Sequence, residues 1–370
     1  MADRLKDFFD EDVVRRIGGM IRGVWPSFPE HEFVEKASDG LERLELLERG
    51  RHIMRALRET LPDDPERAMD ILVRSAGEEL KGVDGNGMAP FLYLPHVMFV
   101  AEYGLDHFDA SMQAQHALTK RFTCEFSIRA FLERAPERTI EVLRGWADDP
   151  SPHVRRLVSE GTRPRLPWAR RLPAFQKNPA PVLELLELLK GDAEEFVRRS
   201  VANNLNDIGK DHPDLLVETC ARWLEHASPD KKRLVRHALR SLVKKCHPGA
   251  LALMGAGSSK GVRVRGTVQP ARVCIGGKVE VAVEVENRSR EDRNMVVDLA
   301  VHFVKANGAA RPKVFKLRNV ALAPGEAAAL RKTITLRQLT TRAHHPGEHR
   351  VEILLNGRAD PIGVFLLTVG

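Results

Sequence analysis

Three residues stand in surroundings that would sharpen their chemistry. Glu125 lies in Phe122-Thr123-Cys124-Glu125-Phe126-Ser127-Ile128-Arg129, an otherwise apolar or small stretch expected to be helical. Asp207 lies in Asn203-Asn204-Leu205-Asn206-Asp207-Ile208-Gly209-Lys210-Asp211-His212-Pro213, the polar end of an expected helix. A carboxylate partly shielded by apolar neighbours can stabilise developing positive charge or serve as a base. The plainer alternative is that each pairs with a nearby arginine or caps a helix. Trp168 sits in Gly161–Pro173 among three prolines and four arginines. An indole flanked by cations, where proline forbids a long helix, can stack on a base or face a cationic ligand. Trp146 and Trp223 occupy corresponding places in two repeats and read as core, and Trp25, before a proline, as a packing anchor.

Other signals fail. His31-Glu32 lacks the second histidine of a zinc-protease helix, and Gly82–Gly87 has too few carboxylates for a calcium loop and no Lys-Ser/Thr for a phosphate loop. His344, His345 and His349 flank an expected hairpin turn and read as a solvated tip or an anion contact rather than a metal site. The four cysteines (Cys124, Cys220, Cys246, Cys274) are far apart with no CxxC, so neither a disulfide framework nor a zinc site is encoded. No metal and no cofactor is expected.

The elements that must position these residues come in two kinds. Up to about residue 254 the chain reads as helix, with apolar residues such as Leu41, Leu44, Leu47, Ile53, Met54 and Leu57 at helical spacing. Its middle repeats. Val154-Arg155-Arg156, Val197-Arg198-Arg199 and Val235-Arg236-His237 recur at 43 and 38 residues, each after a turn that closes an apolar helix. A two-helix unit of that length is the HEAT-like solenoid period. The repeated basic pairs would line one groove able to track a phosphate backbone, unless they brace neighbouring repeats.

Residues 255–261 have the small, polar composition of a linker. From Val262 the period changes to two, as in Val279, Val281, Val283 and Val285, with turn signals at Ala306-Asn307-Gly308, Ala323-Pro324-Gly325 and His345-Pro346-Gly347. About seven short strands describe an immunoglobulin-like β-sandwich over 262–370, without the cysteine pair and tryptophan of antibody domains. The fold class is therefore multi-domain: an all-α HEAT-like repeat solenoid (1–254), a linker (255–261) and a β-sandwich.

The chain has 370 residues and a net charge of +7. Its 43% hydrophobic and 29% charged residues exclude a largely disordered chain. No apolar run suits a membrane span and the first residues lack a signal peptide's apolar region, so a cytoplasmic protein is expected. The charge is unevenly placed: net −8 over 1–120, +7 over 121–260 and +8 over 261–370. Two basic segments suggest a polyanion partner, most simply nucleic acid, against the alternative of a solvated basic face.

Gly87–His96 (GMAPFLYLPH), Cys124–Arg129 (CEFSIR), Val154–Trp168 (VRRLVSEGTRPRLPW) and Val197–His212 (VRRSVANNLNDIGKDH) together resemble the AlkC family, bacterial DNA glycosylases of the HEAT-like-repeat AlkC/AlkD superfamily. The resemblance covers about residues 1–255, and the sandwich resembles the immunoglobulin-like domain of one AlkC branch. It implies an enzyme that excises cationic alkylated bases, 3-methyladenine and 3-methylcytosine, from double-stranded DNA without base flipping. Nothing suggests the reactive lysine of a lyase, so a monofunctional glycosylase is expected, acting as a monomer. The resemblance further implies catalytic roles for Glu125 and Asp207, with Trp168 as the aromatic wall beside the lesion. Ala130 stands where relatives carry proline, a departure that leaves Glu125 in place. Arg155, Arg156, Arg163, Arg165, Arg199 and Lys210 are the candidates for DNA contact, Glu160 is the next carboxylate to consider, and the basic sandwich would clamp the DNA. The rival expectation is a non-enzymatic helical-repeat scaffold that binds nucleic acid or protein.

Overall fold

A computed structural model of the chain describes residues 5–83, 87–256, 259–338 and 343–369. Gly257 and Ser258 of the expected linker, Asp84–Asn86 of the glycine-rich loop and the first four residues lie outside the described residues. Among the described residues fifteen α-helices come first. They are α1 (Glu11–Val24), α2 (Glu30–Ser38), α3 (Leu46–Thr60), α4 (Pro65–Ser75), α5 (Leu94–Tyr103), α6 (Phe108–Thr119), α7 (Ile128–Arg134) and α8 (Pro136–Trp146). There follow α9 (Pro152–Gly161), α10 (Pro173–Lys177), α11 (Ala180–Leu189), α12 (Glu195–Ile208), α13 (Pro213–Leu224), α14 (Pro229–Lys244) and α15 (Pro248–Leu253). No helix of the described residues is long and apolar enough to cross a membrane.

Proline opens many of these helices, where its missing N–H would be unpaired in any case. The expected helical run through Leu41, Leu44 and Leu47 is broken, because Leu41–Arg43 forms a separate 3-10 turn and Leu44 is extended.

The sequence repeat is a repeat of helix pairs: α8/α9, α11/α12 and α13/α14. Val154, Val197 and Val235, the first residue of each basic block, are fully buried. The aspartate just before or in the first turn of each block's helix receives a side chain from upstream. His116 contacts Asp149 at 2.7 Å, Arg155 donates to Asp192 at 2.6 Å, and Arg198 pairs with Asp230 at 3.3 Å. The first arginine of a block thus braces the next repeat.

By their internal contacts the residues form two compact units, 1–212 with 226–238, and 213–225 with 239–370. Among the described residues of the second unit the eight strands are β1 (Val262–Gln269), β2 (Arg272–Cys274), β3 (Lys278–Asn287), β4 (Arg293–Val304), β5 (Ala310–Leu322), β6 (Ala327–Thr335), β7 (Gly347–Leu355) and β8 (Arg358–Thr368). They build a three-stranded sheet, β1-β3-β6, and a five-stranded sheet, β2-β8-β7-β4-β5. The strand beyond the seven expected is β2, three residues paired parallel to β8. Val279, Val281, Val283 and Val285 alternate inward against Leu299, Val301, Val351, Ile353 and Phe365, which is the period-two pattern at work. In the same unit Gly357, at φ +90°, lies against Cys246, where an added Cβ would come within 2.3 Å of the cysteine's own.

The histidine tip is a correction. His344 and His349 are buried, with their rings against Phe303, and His349 also stacks on Phe365 at 4.9 Å. Burial of those phenylalanines draws the imidazoles into the core, and burial lowers the pKa of His349.

His96 on α5 is also fully buried, edge-on to Tyr93, and burial alone takes its pKa down to about 4. The unfolded chain binds this proton near pH 6.5 and the folded chain does not, so stability should fall as pH drops from 6.5 towards 4. The expected loss is roughly 3 kcal/mol at full protonation of the unfolded state. His96→Phe should remove that segment of the pH dependence, read as the difference between urea melts at pH 7 and pH 5. An unchanged pH dependence would count against it.

Candidate active site

Arg156 and Glu160 are four apart on α9, and Arg163 follows three residues later, just past its last turn. Ser200, Asn204 and Asp207 recur at the same steps on α12. Steps of three and four place each set on one helix face, and the two faces meet. Asn204 donates to the Ser159 carbonyl at 2.8 Å and to Thr162 at 3.0 Å, tying α12 to α9.

Along this seam the charges alternate. Arg156 Nη1 pairs with Glu125 Oε2 at 3.1 Å, and its Nη2 lies 3.7 Å from Glu160 Oε1. Glu160 accepts from Arg163 Nη1 at 2.6 Å and from Ser200 Oγ at 2.6 Å. Arg163 Nε donates to Asp207 Oδ2 at 2.8 Å, and Lys210 Nζ donates to Oδ1 at 2.7 Å. Three carboxylates and three cations are interleaved, so no buried charge is left alone, which would otherwise cost several kcal/mol. Burial pushes the Glu160 carboxyl up, but Arg156 and Arg163 outweigh it and hold the group below the usual range.

Glu125 ends this chain at the surface. It lies in the turn between α6 and α7, not within a helix as expected. Thr123 is the cause: its hydroxyl accepts the Glu125 backbone N–H at 3.3 Å and donates to Oε2 at 2.9 Å, competing with helix formation. The Glu125 side chain is 13% exposed, against 2% for Asp207. Glu125 is therefore the carboxylate open to a ligand, and Asp207 lies beneath Arg163 and Lys210. Neighbouring Cys124 is buried and its thiol pKa is raised, first by burial and then by Glu125, which leaves it inert.

Trp168 is not part of the charge chain. It lies on the loop between α9 and α10, 66% exposed, with φ +63°. That conformation costs an L-residue roughly 1–2 kcal/mol. The indole borders a cavity of about 640 Å³ that Met54, Met98, Phe126 and Arg129 also line, and a second of about 590 Å³ beside Leu5 and Leu47. Phe126, next to Glu125, is the link between carboxylate and indole. Of the other tryptophans, Trp223 is buried as expected, while Trp146 is half-buried against His116.

The DNA-contact candidates separate. Arg155 gives its Nε and Nη2 to Asp192 and its Nη1 to the carbonyls of Asp149 and Pro150, so it is a brace. Arg163 is buried between Glu160 and Asp207, the correction having the same cause: buried carboxylates claim its fork. Arg156 lies over the Phe196 ring at 4.9 Å. Arg165 pairs with Asp211, Lys210 with Asp207, and Arg199, 66% exposed, with Glu195. Thr123, Phe196, Ser200 and Arg129 escape the sequence reading. Helical spacing from Asp207 back to Ser200 and Phe196 was the available signal for two of them. Among the described residues no group of three or more His, Cys, Asp or Glu is placed to hold a metal ion.

Residues 121–242 match the family model described as a DNA alkylation repair enzyme, and residues 263–369 match the C-terminal Ig-like domain of the uncharacterised protein YhaZ. The uncharacterized protein YhaZ of Bacillus subtilis (strain 168) is 36% identical over 359 residues, which is 96% of this chain and 97% of that one. The alkylpurine DNA glycosylase AlkC of Pseudomonas fluorescens, solved bound to DNA containing an abasic site analog, is 34% identical. It superposes with a TM-score of 0.87 over 99% of this chain and 100% of its own.

Proposed function

The chain belongs to the AlkC family, in the branch with a C-terminal immunoglobulin-like domain, and from that premise we propose that it is a monofunctional DNA glycosylase for alkylated bases. The observation that carries this reading is the alternating charge chain that ends on the partly exposed Glu125, whose chain neighbour Phe126 lines a cavity with the exposed Trp168. Alkylation at N3 makes 3-methyladenine or 3-methylcytosine a cation, so the base leaves with the C1′–N electron pair and needs little acid catalysis. Positive charge then develops on the sugar. The Glu125 carboxylate stabilises it and orients the water whose oxygen bonds C1′ and whose proton is released. Asp207, held by Arg163 and Lys210, adds negative potential from beneath. The Trp168 face adds roughly 0.5–2 kcal/mol towards the cationic base while that base stays in the duplex.

In this reading residues 1–254 are the glycosylase domain, 255–261 the linker and 262–370 a DNA-clamping domain, acting as a monomer without a cofactor on nucleoid DNA in the cytoplasm. Arg156, Arg165, Arg199 and Lys210 meet the phosphates. Arg199→Gln should weaken binding evenly across sequences and reduce the slope of log affinity against log salt by about one. An unchanged slope removes Arg199 from the contact set.

Substrate range is tested by incubating the protein with methylated duplex DNA and resolving the released bases by chromatography. 3-Methyladenine and 3-methylcytosine are the expected products. Tight DNA binding with neither base released would favour the non-enzymatic scaffold.

A further inference from the structure

Packing holds the loop that presents Trp168 through Leu166 and Leu172, both buried, but not through the indole itself. The indole borders open space in two cavities, and its backbone sits in the left-handed region. Within the loop Leu172 N–H donates to Pro164 O at 3.2 Å and Ala169 N–H to Leu166 O at a long 3.4 Å. Neither bond ties the loop to the rest of the fold, whereas at its side chains Arg165 pairs with Asp211 and Arg170 with Glu133.

Arg129 ties down the loop's backbone. It is 4% exposed on α7, four residues after Glu125. Its Nη1 donates to the Gly161 carbonyl at 3.0 Å and the Arg163 carbonyl at 2.8 Å, before the loop. Its Nε donates to the Arg170 carbonyl at 3.0 Å, beyond Trp168, and Nη2 donates to that carbonyl too. Gly161 permits this approach, since a Cβ there would lie 2.4 Å from Ile128 Cγ2. Among the described residues the hydrogen bonds of this buried guanidinium all go to backbone carbonyls. A buried charge spent in this way fixes a chain path rather than another charge. The segment from 125 to 129 therefore carries the half-buried carboxylate at one end and the clamp on the indole's loop at the other.

We infer that Arg129 is a positioning residue that holds Trp168 at a set place relative to Glu125. The inference rests on the proposed role of Trp168 as the wall beside the lesion. A lysine would keep the charge and lose the planar fork that spans both ends of the loop, so Arg129→Lys should not rescue.

The test uses the full chain labelled with 5-fluorotryptophan, with Trp168→Phe assigning one of the four fluorine lines. In Arg129→Lys the Trp168 line should shift or broaden while those of Trp25, Trp146 and Trp223 stay in place. Excision should fall roughly tenfold, as in Trp168→Ala, with no further loss in the Arg129→Lys/Trp168→Ala double variant. An unmoved Trp168 line, or losses that multiply in the double variant, would overturn the inference. So would collapse of all four lines in both Arg129→Lys and Arg129→Gln. The spectra are read on the free protein, so a wild-type chain that releases no base would remove the proposed function and leave this result standing.

Discussion

Glu125→Gln should lower single-turnover excision of an alkylated base by about 100- to 1,000-fold, the usual cost of removing one charge aimed at a charged transition state. Melting temperature and DNA affinity should hardly move. Glutamine keeps the size of the side chain, and its amide oxygen can still accept from Thr123. Arg156 loses one partner but retains Glu160 and its place over Phe196. Loss of rate without loss of fold would thus isolate the chemistry at this carboxylate. Asp207→Asn should give a different signature, with the rate loss accompanied by destabilisation, because both Arg163 and Lys210 depend on that buried group. Full excision by Glu125→Gln would move the chemistry to Asp207 or Glu160.

Arg163→Met should be the most destabilising single change in the charge chain. It keeps most of the volume but strips the shared guanidinium from two carboxylates, Glu160 and Asp207, both buried. Breaking a buried pair by removing one partner costs about 3–5 kcal/mol. For a unit of this size that is a fall of roughly 10 °C in melting temperature. The pH dependence carries the sign. In the wild type the Glu160 pKa is depressed, so its stabilisation is present above the unfolded pKa and is lost as pH falls through the folded value. Without Arg163, burial disfavours the ionised form, so the penalty is largest at neutral pH. The gap between variant and wild type should narrow as pH falls and Glu160 is protonated, first in the variant and then, through its depressed value, in the wild type. Parallel denaturation curves with an equal gap at pH 7 and pH 4 would show that the guanidinium is not balancing those charges.

Much of the architecture is legible in the residues themselves. Val154, Val197 and Val235 announce the repeat because each must be buried where a second helix begins. The valines of β3 announce the sheet because only one of its faces is buried at each step. What stays hidden is whatever a distant partner decides. Arg155 and Arg156 are neighbours in sequence, yet a rotation of about 100° per helical residue turns one to Asp192 and the other to Glu125. Only the placed neighbouring helix shows which is which. His344 and His349 have the composition of an exposed turn until Phe303 and Phe365 are set against them. Arg129 is harder still, since its partners are backbone carbonyls and no residue type marks a carbonyl as a partner. Glu125 and Trp168 stand out because a carboxylate among apolar residues and an indole among prolines are unusual wherever they fall. The turn that holds Glu125 depends on one hydroxyl, Thr123, in a stretch whose apolar residues suit a helix equally well.

Hydrolysis of a glycosidic bond by this chain can be counted directly. A duplex with a single 3-methyladenine is mixed with excess wild-type protein, and free base, abasic sites and strand breaks are counted over time. Free base and abasic sites should appear together in equal amounts, with the strand intact until it is cut chemically. Binding of the duplex with no base released, or strand scission in step with release, would contradict that expectation.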